Sequence, residues 1–173
     1  MEIERKFLLK TIPDNLEQYV SHRIEQGYLC VDPVVRIRKE ENDYILTYKG
    51  EGMMARQESN LPLKEASYNQ LKSKVTGNII SKTRYMIPLE NPEFKQGFPQ
   101  PPSGYTLTVE IDVFDPPFAP LVMAEVEFGS QEAAVAFIPP EWFGEEVTYV
   151  KQFHNSYMAY SDPMSWQVEI ANR

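Results

Sequence analysis

Met1-Glu2-Ile3-Glu4-Arg5-Lys6 opens the chain with charged side chains at alternate positions, and three apolar residues at 7–9 follow. Alternate side chains of a β-strand share a face. A strand here would therefore place the carboxylates of Glu2 and Glu4 beside the ammonium group of Lys6. One such strand is compatible with an ordinary solvated face, so its meaning depends on whether the pattern recurs.

The composition indicates one globular domain with a net negative charge. The chain has 173 residues, of which 42% are hydrophobic and 24% charged, and its formal net charge is −8. This length is typical of a single domain with a sizeable core. The negative charge disfavours nucleic acid and anionic membranes as partners. Lysines and arginines stand mostly in short alternating pairs, which favours a small anion in an enclosed site.

Neither a membrane span nor an export signal is expected. The longest apolar runs are too short for a bilayer. Glu2 and Glu4 occupy the region where a signal peptide needs positive charge. Cys30 is the only cysteine, which excludes an internal disulfide. A lone cysteine suits a reducing compartment, so we expect a cytoplasmic protein.

The residue pattern predicts many strands and a few short helices. Strand-like stretches are rich in Val, Ile, Tyr, Phe and Thr and are separated by Pro, Gly, Asn and Asp. The predicted strands are 1–9, 22–30, 34–40, 43–50, 53–62, 79–88, 105–114 and 121–128. The predicted helices are 14–20, 64–75, 131–138 and 151–160, with Ser130 as a candidate N-cap.

Residues 1–160 are expected to form one domain. Within it, 90–103 is rich in Pro and Gly and is typical of an excursion between two strands. Residues 161–173 show no clear periodicity and are assigned to a C-terminal tail.

The alternation seen at the start of the chain recurs in most predicted strands. One face is apolar, and the other carries two polar or charged side chains two positions apart. These pairs are Arg36 and Arg38, Thr47 and Lys49, Arg56 and Glu58, Lys82 and Arg84, Glu110 and Asp112, and Glu125 and Glu127. Like charges at this spacing repel one another. An enclosed site that holds metal cations and a polyanion would neutralise both kinds of pair.

We therefore predict an α+β fold, mainly antiparallel β, with flanking short helices. If the strands close into a barrel, their charged faces point into its lumen. A barrel of about eight strands can hold one small ligand. Carboxylates suit Mg²⁺ or Mn²⁺, and lysine and arginine suit phosphate oxygens. The metal-ligand candidates are Glu2, Glu4, Glu110, Asp112, Glu125 and Glu127. The phosphate-binding candidates are Lys6, Arg36, Arg38, Lys49, Arg56, Lys82 and Arg84.

The ordered set of motifs resembles the CYTH superfamily, the triphosphate tunnel metalloenzymes. The first six residues resemble the ExExK signature of that superfamily. The other motifs are Val35-Arg36-Ile37-Arg38, Leu46-Thr47-Tyr48-Lys49-Gly50, Arg56-Gln57-Glu58, Lys82-Thr83-Arg84-Tyr85, Glu110-Ile111-Asp112-Val113-Phe114 and Ala124-Glu125-Val126-Glu127-Phe128. The resemblance implies that eight antiparallel strands close into a barrel, the tunnel, which binds a triphosphate end-on with divalent metal.

Two further segments resemble the small prokaryotic members that hydrolyse inorganic tripolyphosphate. They are Gln26-Gly27-Tyr28-Leu29 and a C-terminal stretch from Val147-Thr148 to Asn155-Ser156. The likeness implies that Tyr28, paired with Lys82, activates water, with Lys6 as a further catalytic cation. It adds Lys151, Glu58 and Asn155 as further site residues. Tyr149-Val150 departs from the family's Gly-Asp at that place. His22 and His154 lack metal-ligand spacing and are interpreted as structural.

Three functions remain open from the sequence. The first is metal-dependent hydrolysis of the terminal phosphate of tripolyphosphate or a nucleoside triphosphate. The second is an adenylate cyclase of the class IV type, which would make cyclic AMP from ATP. The third is a non-catalytic polyphosphate- or nucleotide-binding module. No segment identifies an oligomer, although an exposed barrel face would allow a homodimer.

Overall fold

The computed structural model describes residues 2–52 and 54–172, with position 56 described by its backbone alone. The strands are β1 Glu2–Leu9, β2 Val20–Val31, β3 Val34–Glu40, β4 Asp43–Lys49, β5 Ala55–Arg56, β6 Glu58–Pro62, β7 Ile80–Glu90, β8 Glu93–Phe94, β9 Thr106–Phe114, β10 Val122–Glu127, β11 Phe137–Ile138 and β12 Phe143–Glu146. The helices are α1 Glu65–Lys72, α2 Gln131–Ala136, α3 Asn155–Tyr160 and α4 Pro163–Ala171, and short 3₁₀ turns span Leu16–Gln18 and Lys151–Phe153.

Ten of the described strands form one antiparallel sheet. Its hydrogen-bonded order is β12-β1-β10-β9-β7-β2-β3-β4-β6, with β5 paired to β1. The register places Glu4 opposite Glu127 and Lys6 opposite Glu125. It also places Tyr28 opposite Arg36 and Arg84 opposite Asp112. Because residues directly opposite one another share a face, this register gathers the charged pairs on one side of the sheet.

The prediction of a closed eight-stranded barrel is wrong. Among the described residues, the sheet order runs from β12 at one end to β6 at the other and does not return on itself. The contact between β5 and β1 consists of two residue pairs, Glu2 with Arg56 and Ile3 with Ala55. The predicted strand 53–62 is broken at Gln57, whose carbonyl accepts from the amide of Gly50 at 2.9 Å. The strands surround a cavity, but the hydrogen bonds between them do not close the sheet into a barrel.

Several predicted elements differ from those observed. The predicted helix 14–20 is a 3₁₀ turn followed by β2, which begins at Val20. The predicted helix 131–138 ends at Ala136 and continues as β11, which pairs with β8 inside the proline-rich excursion. The predicted helix 151–160 is divided between a 3₁₀ turn and α3. Residues 1 and 53, at the starts of two predicted strands, lie outside the described residues. The N-cap is confirmed, since Ser130 Oγ accepts from the Ala133 amide at 3.1 Å.

The apolar side of the sheet is covered by helices and loops in two clusters. One contains Phe7, Ile111 and Phe137 beneath α2, and the other contains Met123, Phe153 and Trp166 beneath α3 and α4. Residues 161–172 are part of this packing. Trp166 is 1% exposed, its ring meets Phe118 edge-on, and its Nε1 donates to the Gln152 carbonyl at 2.8 Å.

In the part of the chain that the structure describes, no helix combines the length and apolar character needed to cross a membrane.

Candidate functional site

The charged faces of the strands enclose a cavity of about 190 Å³. Its lining comes from β1, β2, β3, β4, β6, β7, β9 and β10 and from residues 154–156. The lining residues are Glu2, Glu4, Lys6, Tyr28, Val34, Arg36, Arg38, Lys49, Glu58, Arg84, Glu110, Glu125, Glu127, His154, Asn155 and Ser156. The structure therefore brings together in one hollow most of the residues predicted from strand parity.

Two lysines on the cavity wall are held between carboxylates. Lys49 Nζ lies 2.6 Å from Glu2 Oε2 and 2.8 Å from Glu58 Oε2. Lys6 Nζ lies 2.9 Å from Glu4 Oε1 and also contacts Glu125. Burial alone would lower the pKa of Lys6, but Glu125 and Glu4 outweigh burial and raise it above the usual range. Lys6 therefore stays charged at neutral pH.

Arg84, which also lines the cavity, connects β7 to acids on β9 and β10. Its guanidinium contacts Glu110, lies 2.6 Å from Glu125, and makes two 2.7 Å hydrogen bonds to Asp112. Asp112 and Lys82 are fully buried and form an ion pair beneath the lining. Burial would raise the pKa of Asp112, but Arg84 and Lys82 hold it below its ordinary value. The charges of Lys82 and Arg84 are thus neutralised by carboxylates within the protein.

The arginine pair of β3, Arg36 and Arg38, is different. Arg36 is 5% exposed, and its hydrogen-bond partner is the hydroxyl of Thr47 at 3.2 Å. Its buried Nε has no partner among the described residues. Arg38 donates to Gln26 Oε1 at 3.2 and 3.3 Å and lies 3.5 Å from Glu40.

Burial, with repulsion from Arg36 and Arg84, lowers the pKa of Arg38 to about 10. The repulsion shows that positive charges lie close together here, and Glu40 and Tyr28 give them only partial compensation. An anion bound beside the arginine pair would complete that compensation.

The acids of the wall carry oxygen donors that suit a divalent cation. Glu2 and Glu4 stand close enough that burial and mutual repulsion raise the pKa of Glu2. Burial and repulsion from Glu125 and Asp112 similarly help to raise the pKa of Glu110. In residues 2–52 and 54–172, no three Asp, Glu, His or Cys side chains already converge as a metal site. The donor chemistry and the surplus of negative charge nevertheless fit a divalent metal at Glu2, Glu4 and Glu127.

The predicted partnership of Tyr28 and Lys82 is not seen as a direct contact. Tyr28 is 3% exposed and lines the cavity. Lys82 is not among the lining residues; it lies against Asp112 and 5.1 Å from the centre of the Phe114 ring. Burial lowers the pKa of Lys82 to about 8. Tyr28 instead interacts electrostatically with Arg38, whose pKa it raises against the effect of burial.

Lys151 was predicted to bind the substrate but does not line the cavity, whereas His154 lines the cavity and was not predicted to do so. Lys151 is exposed and lines a neighbouring pocket of about 410 Å³ rather than the cavity. His154 and Ser156 line both spaces, so the two pockets adjoin. His154, interpreted from the sequence as structural, also has its Nε2 2.8 Å from the Thr148 carbonyl. The side chain of Arg56 lies outside the described residues.

Comparison of the sequence with known proteins gives one close relative. The chain is 40% identical over 165 residues to an inorganic triphosphatase of Nitrosomonas europaea, a match that covers 94% of this chain and 99% of that protein. No protein-family model matches the chain.

Comparison with solved structures gives the same assignment. A crystal structure of an inorganic triphosphatase matches with a TM-score of 0.65 and 37% identity, covering 94% of this chain and 97% of the other. A protein of Pyrococcus horikoshii matches with a TM-score of 0.53 and 18% identity, covering 79% of this chain and 83% of the other. The second likeness concerns the fold alone.

Proposed function

This chain belongs to the inorganic triphosphatase family of the CYTH superfamily, and from that premise we propose that it hydrolyses the terminal phosphate of inorganic tripolyphosphate. The observation that carries the proposal is the arginine pair, of which Arg36 is buried and Arg38 partly buried; it is hydrogen-bonded to a hydroxyl and an amide oxygen and shares one small cavity with acids. Ligand sites for drug-sized molecules measure about 300–1,000 Å³. A cavity of about 190 Å³ therefore favours a compact inorganic anion over a whole nucleotide.

In this proposal the cations of the wall bind the phosphate chain. The arginine pair would meet phosphate oxygens first, because its charge has little internal compensation. Lys6, Lys49 and Arg84 would exchange some carboxylate contacts for phosphate contacts. Preorganised cations of this kind stabilise the charge of the transferring phosphoryl group in a site where water is scarce.

The acids supply the other half of the site. Glu2, Glu4 and Glu127 would hold Mg²⁺ or Mn²⁺, with Glu110, Asp112 and Glu125 as outer carboxylates. The ion would supply charge neutralisation at the transferring phosphate. Tyr28 would accept the proton of the attacking water, since its side chain lines the cavity and interacts with the Arg38 cation. The single cysteine supports a cytoplasmic location for this activity.

Substitution of the metal carboxylates tests the proposal. Glu4→Gln and Glu127→Gln each keep the side-chain shape but remove one charge, so phosphate release from tripolyphosphate should fall at least about 100-fold with Mg²⁺ or Mn²⁺. Glu132→Gln, an exposed glutamate on α2, is the matched control and should keep full activity.

Substrate and product analysis separates the alternatives. Tripolyphosphate, ATP, GTP and thiamine triphosphate would be compared with both metals. Near-native turnover of tripolyphosphate in both carboxylate variants would refute the metal assignment. Release of cyclic AMP and pyrophosphate from ATP would identify a cyclase, and binding without turnover would identify a binding module.

A further inference from the structure

We propose that Gln26 and Thr47 are positioning residues that orient the arginine pair through neutral oxygens and so keep its positive charge available to the substrate. The inference rests on the proposed function, because it concerns how the same cavity binds its anion. Neither residue lines the cavity itself.

The cations of the site fall into two groups according to what holds them. Lys6, Lys49 and Arg84 are each held by at least two carboxylates. Arg36 is instead hydrogen-bonded to a hydroxyl and Arg38 to an amide oxygen, and among the described residues a single carboxylate, Glu40, lies 3.5 Å from Arg38 Nη1. A carboxylate both orients and neutralises a guanidinium, whereas a hydroxyl or an amide oxygen orients it and leaves its charge. Arg36 and Arg38 therefore keep positive charge that an external anion can bind.

The orientation of Gln26 is determined by Arg38. A guanidinium only donates hydrogen bonds, so the amide must turn Oε1 towards Arg38, to which Nε and Nη2 donate at 3.3 and 3.2 Å. This leaves Nε2 of a fully buried side chain without a partner among the described residues. A buried donor without a partner is costly.

Stability alone would favour glutamate at position 26. A carboxylate of the same shape has no N–H to bury, and it can form a two-point ion pair with arginine. Glutamate would, however, neutralise Arg38 permanently. The presence of glutamine at this buried position is thus explained by the need for an oriented cation whose charge is only partly compensated by Glu40, at 3.5 Å.

Thr47 holds Arg36 in a comparable way from β4. The Thr47 hydroxyl donates to Asn60 Oδ1 at 2.7 Å, so its lone pairs remain for Arg36 Nη2 at 3.2 Å. Thr47 is 1% exposed, which fixes the direction of the hydroxyl. Gln26 on β2 and Thr47 on β4 therefore flank β3 and orient one arginine each.

The decisive variant is Gln26→Glu in the full-length protein. We expect the KM for tripolyphosphate to rise at least tenfold, because the introduced carboxylate would compete with phosphate for Arg38. The thermal midpoint should stay equal to that of the wild type or rise. Gln26→Met, which removes the acceptor but adds no negative charge beside Arg38, should raise KM less. Gln70→Glu introduces the same charge change on the exposed face of α1 and should leave KM unchanged.

Thr47→Val gives an independent test on β4, because it keeps the shape of the side chain but removes the acceptor for Arg36. Its KM should rise while its thermal midpoint falls only slightly. Calorimetric titration of each variant with tripolyphosphate should show weaker binding in the same order as the KM values.

Different results would overturn the inference and the proposed function. A KM within twofold of the wild type in Gln26→Glu, with the thermal midpoint retained, would overturn the positioning role. Lower thermal midpoints with unchanged KM in Gln26→Met and Thr47→Val would show a purely structural role. If the wild type fails to cleave tripolyphosphate, the proposed function fails; the calorimetric order of the variants still decides the role of Gln26.

Discussion

Lys6 shows how a single residue is stabilised inside a charged wall. Its side chain is buried between Glu4 and Glu125, and removal of water from an ammonium group is costly unless opposite charges surround it. Replacing one partner of such a group leaves the other charge uncompensated. Residues of this wall therefore contribute to stability and to binding at once, and their substitutions need both measurements.

Tyr28 allows a test of catalysis at the level of a single residue, because its hydroxyl can be removed without changing a formal charge. Tyr28→Phe should reduce kcat for tripolyphosphate by about 100-fold or more, as expected for the loss of a general base. KM should change little, since the arginine pair remains. Steady-state kinetics of phosphate release measures both constants. Tyr48→Phe, on an exposed position of β4, is the control, and equal kcat values in the two variants would contradict the role of Tyr28.

The residues of the site were predictable to the extent that strand parity determines them. Side chains at alternate positions share a face, so Arg36 with Arg38 and Glu125 with Glu127 could be assigned together before any contact was known. The alternation of side chains assigns a face of the sheet but not how deeply each side chain is buried. Lys82 and Asp112 were therefore expected in the lining but lie behind it. His154 gave no spacing signal, since it reaches the cavity through tertiary packing of the C-terminal segment.

At the scale of elements, Glu25 connects β2 with α1. Its carboxylate accepts from the Tyr68 hydroxyl at 2.9 Å and from Lys72 at 2.7 Å. Burial would raise the pKa of Glu25, but the hydrogen bonds from Lys72 and Tyr68 lower it below the ordinary value of 4.5. A group with a lowered folded-state pKa stabilises the protein above its unfolded pKa, and this contribution is lost as the pH falls through the folded pKa.

We therefore expect Glu25→Gln to lower the free energy of unfolding at pH 7 by about 1 kcal/mol or less, as for a partly exposed pair. The difference from the wild type should shrink as the pH falls from about 5 to below the folded-state pKa. Urea unfolding at a series of pH values measures it. Lys72→Met removes the same ion pair and should show the same trend. A difference that stays constant down to low pH would show that charge is not the cause.

Element boundaries were less predictable than element types. Parity placed Arg56 and Glu58 on one continuous strand, yet the ladder stops at Gln57 between β5 and β6. Closure of a barrel depends on hydrogen bonds between strands distant in sequence, and local periodicity contains no information about them. The inward-facing charges were therefore predictable, whereas the open ladder was not.

For the molecule as a whole, α4 stabilises the segment that completes the cavity. Trp166 packs against Phe118 and Phe153 and donates to the Gln152 carbonyl, directly before residues 154–156 of the lining. The absence of clear periodicity after residue 160 concealed this role. The C-terminal residues thus influence the site from outside it.

Trp166→Ala should destabilise the protein by about 3–5 kcal/mol, the usual cost of removing a large buried aromatic side chain. Tripolyphosphate binding should weaken as well, because the support of residues 154–156 is lost. Thermal unfolding and calorimetric titration measure the two effects. Met164→Ala, at a 76% exposed position of the same helix, should change neither; equal behaviour of the two variants would exclude the supporting role of α4.

The internal pairing of lysines with glutamates also bears on how a reaction cycle ends. When the cleaved phosphates depart, Lys6 and Lys49 can return at once to Glu4, Glu125, Glu2 and Glu58, the partners that they contact in this structure. These two ammonium groups then need not stay beside the departing products. These glutamates would act as reserve counterions, so that an affinity high enough for a polyanion need not slow turnover.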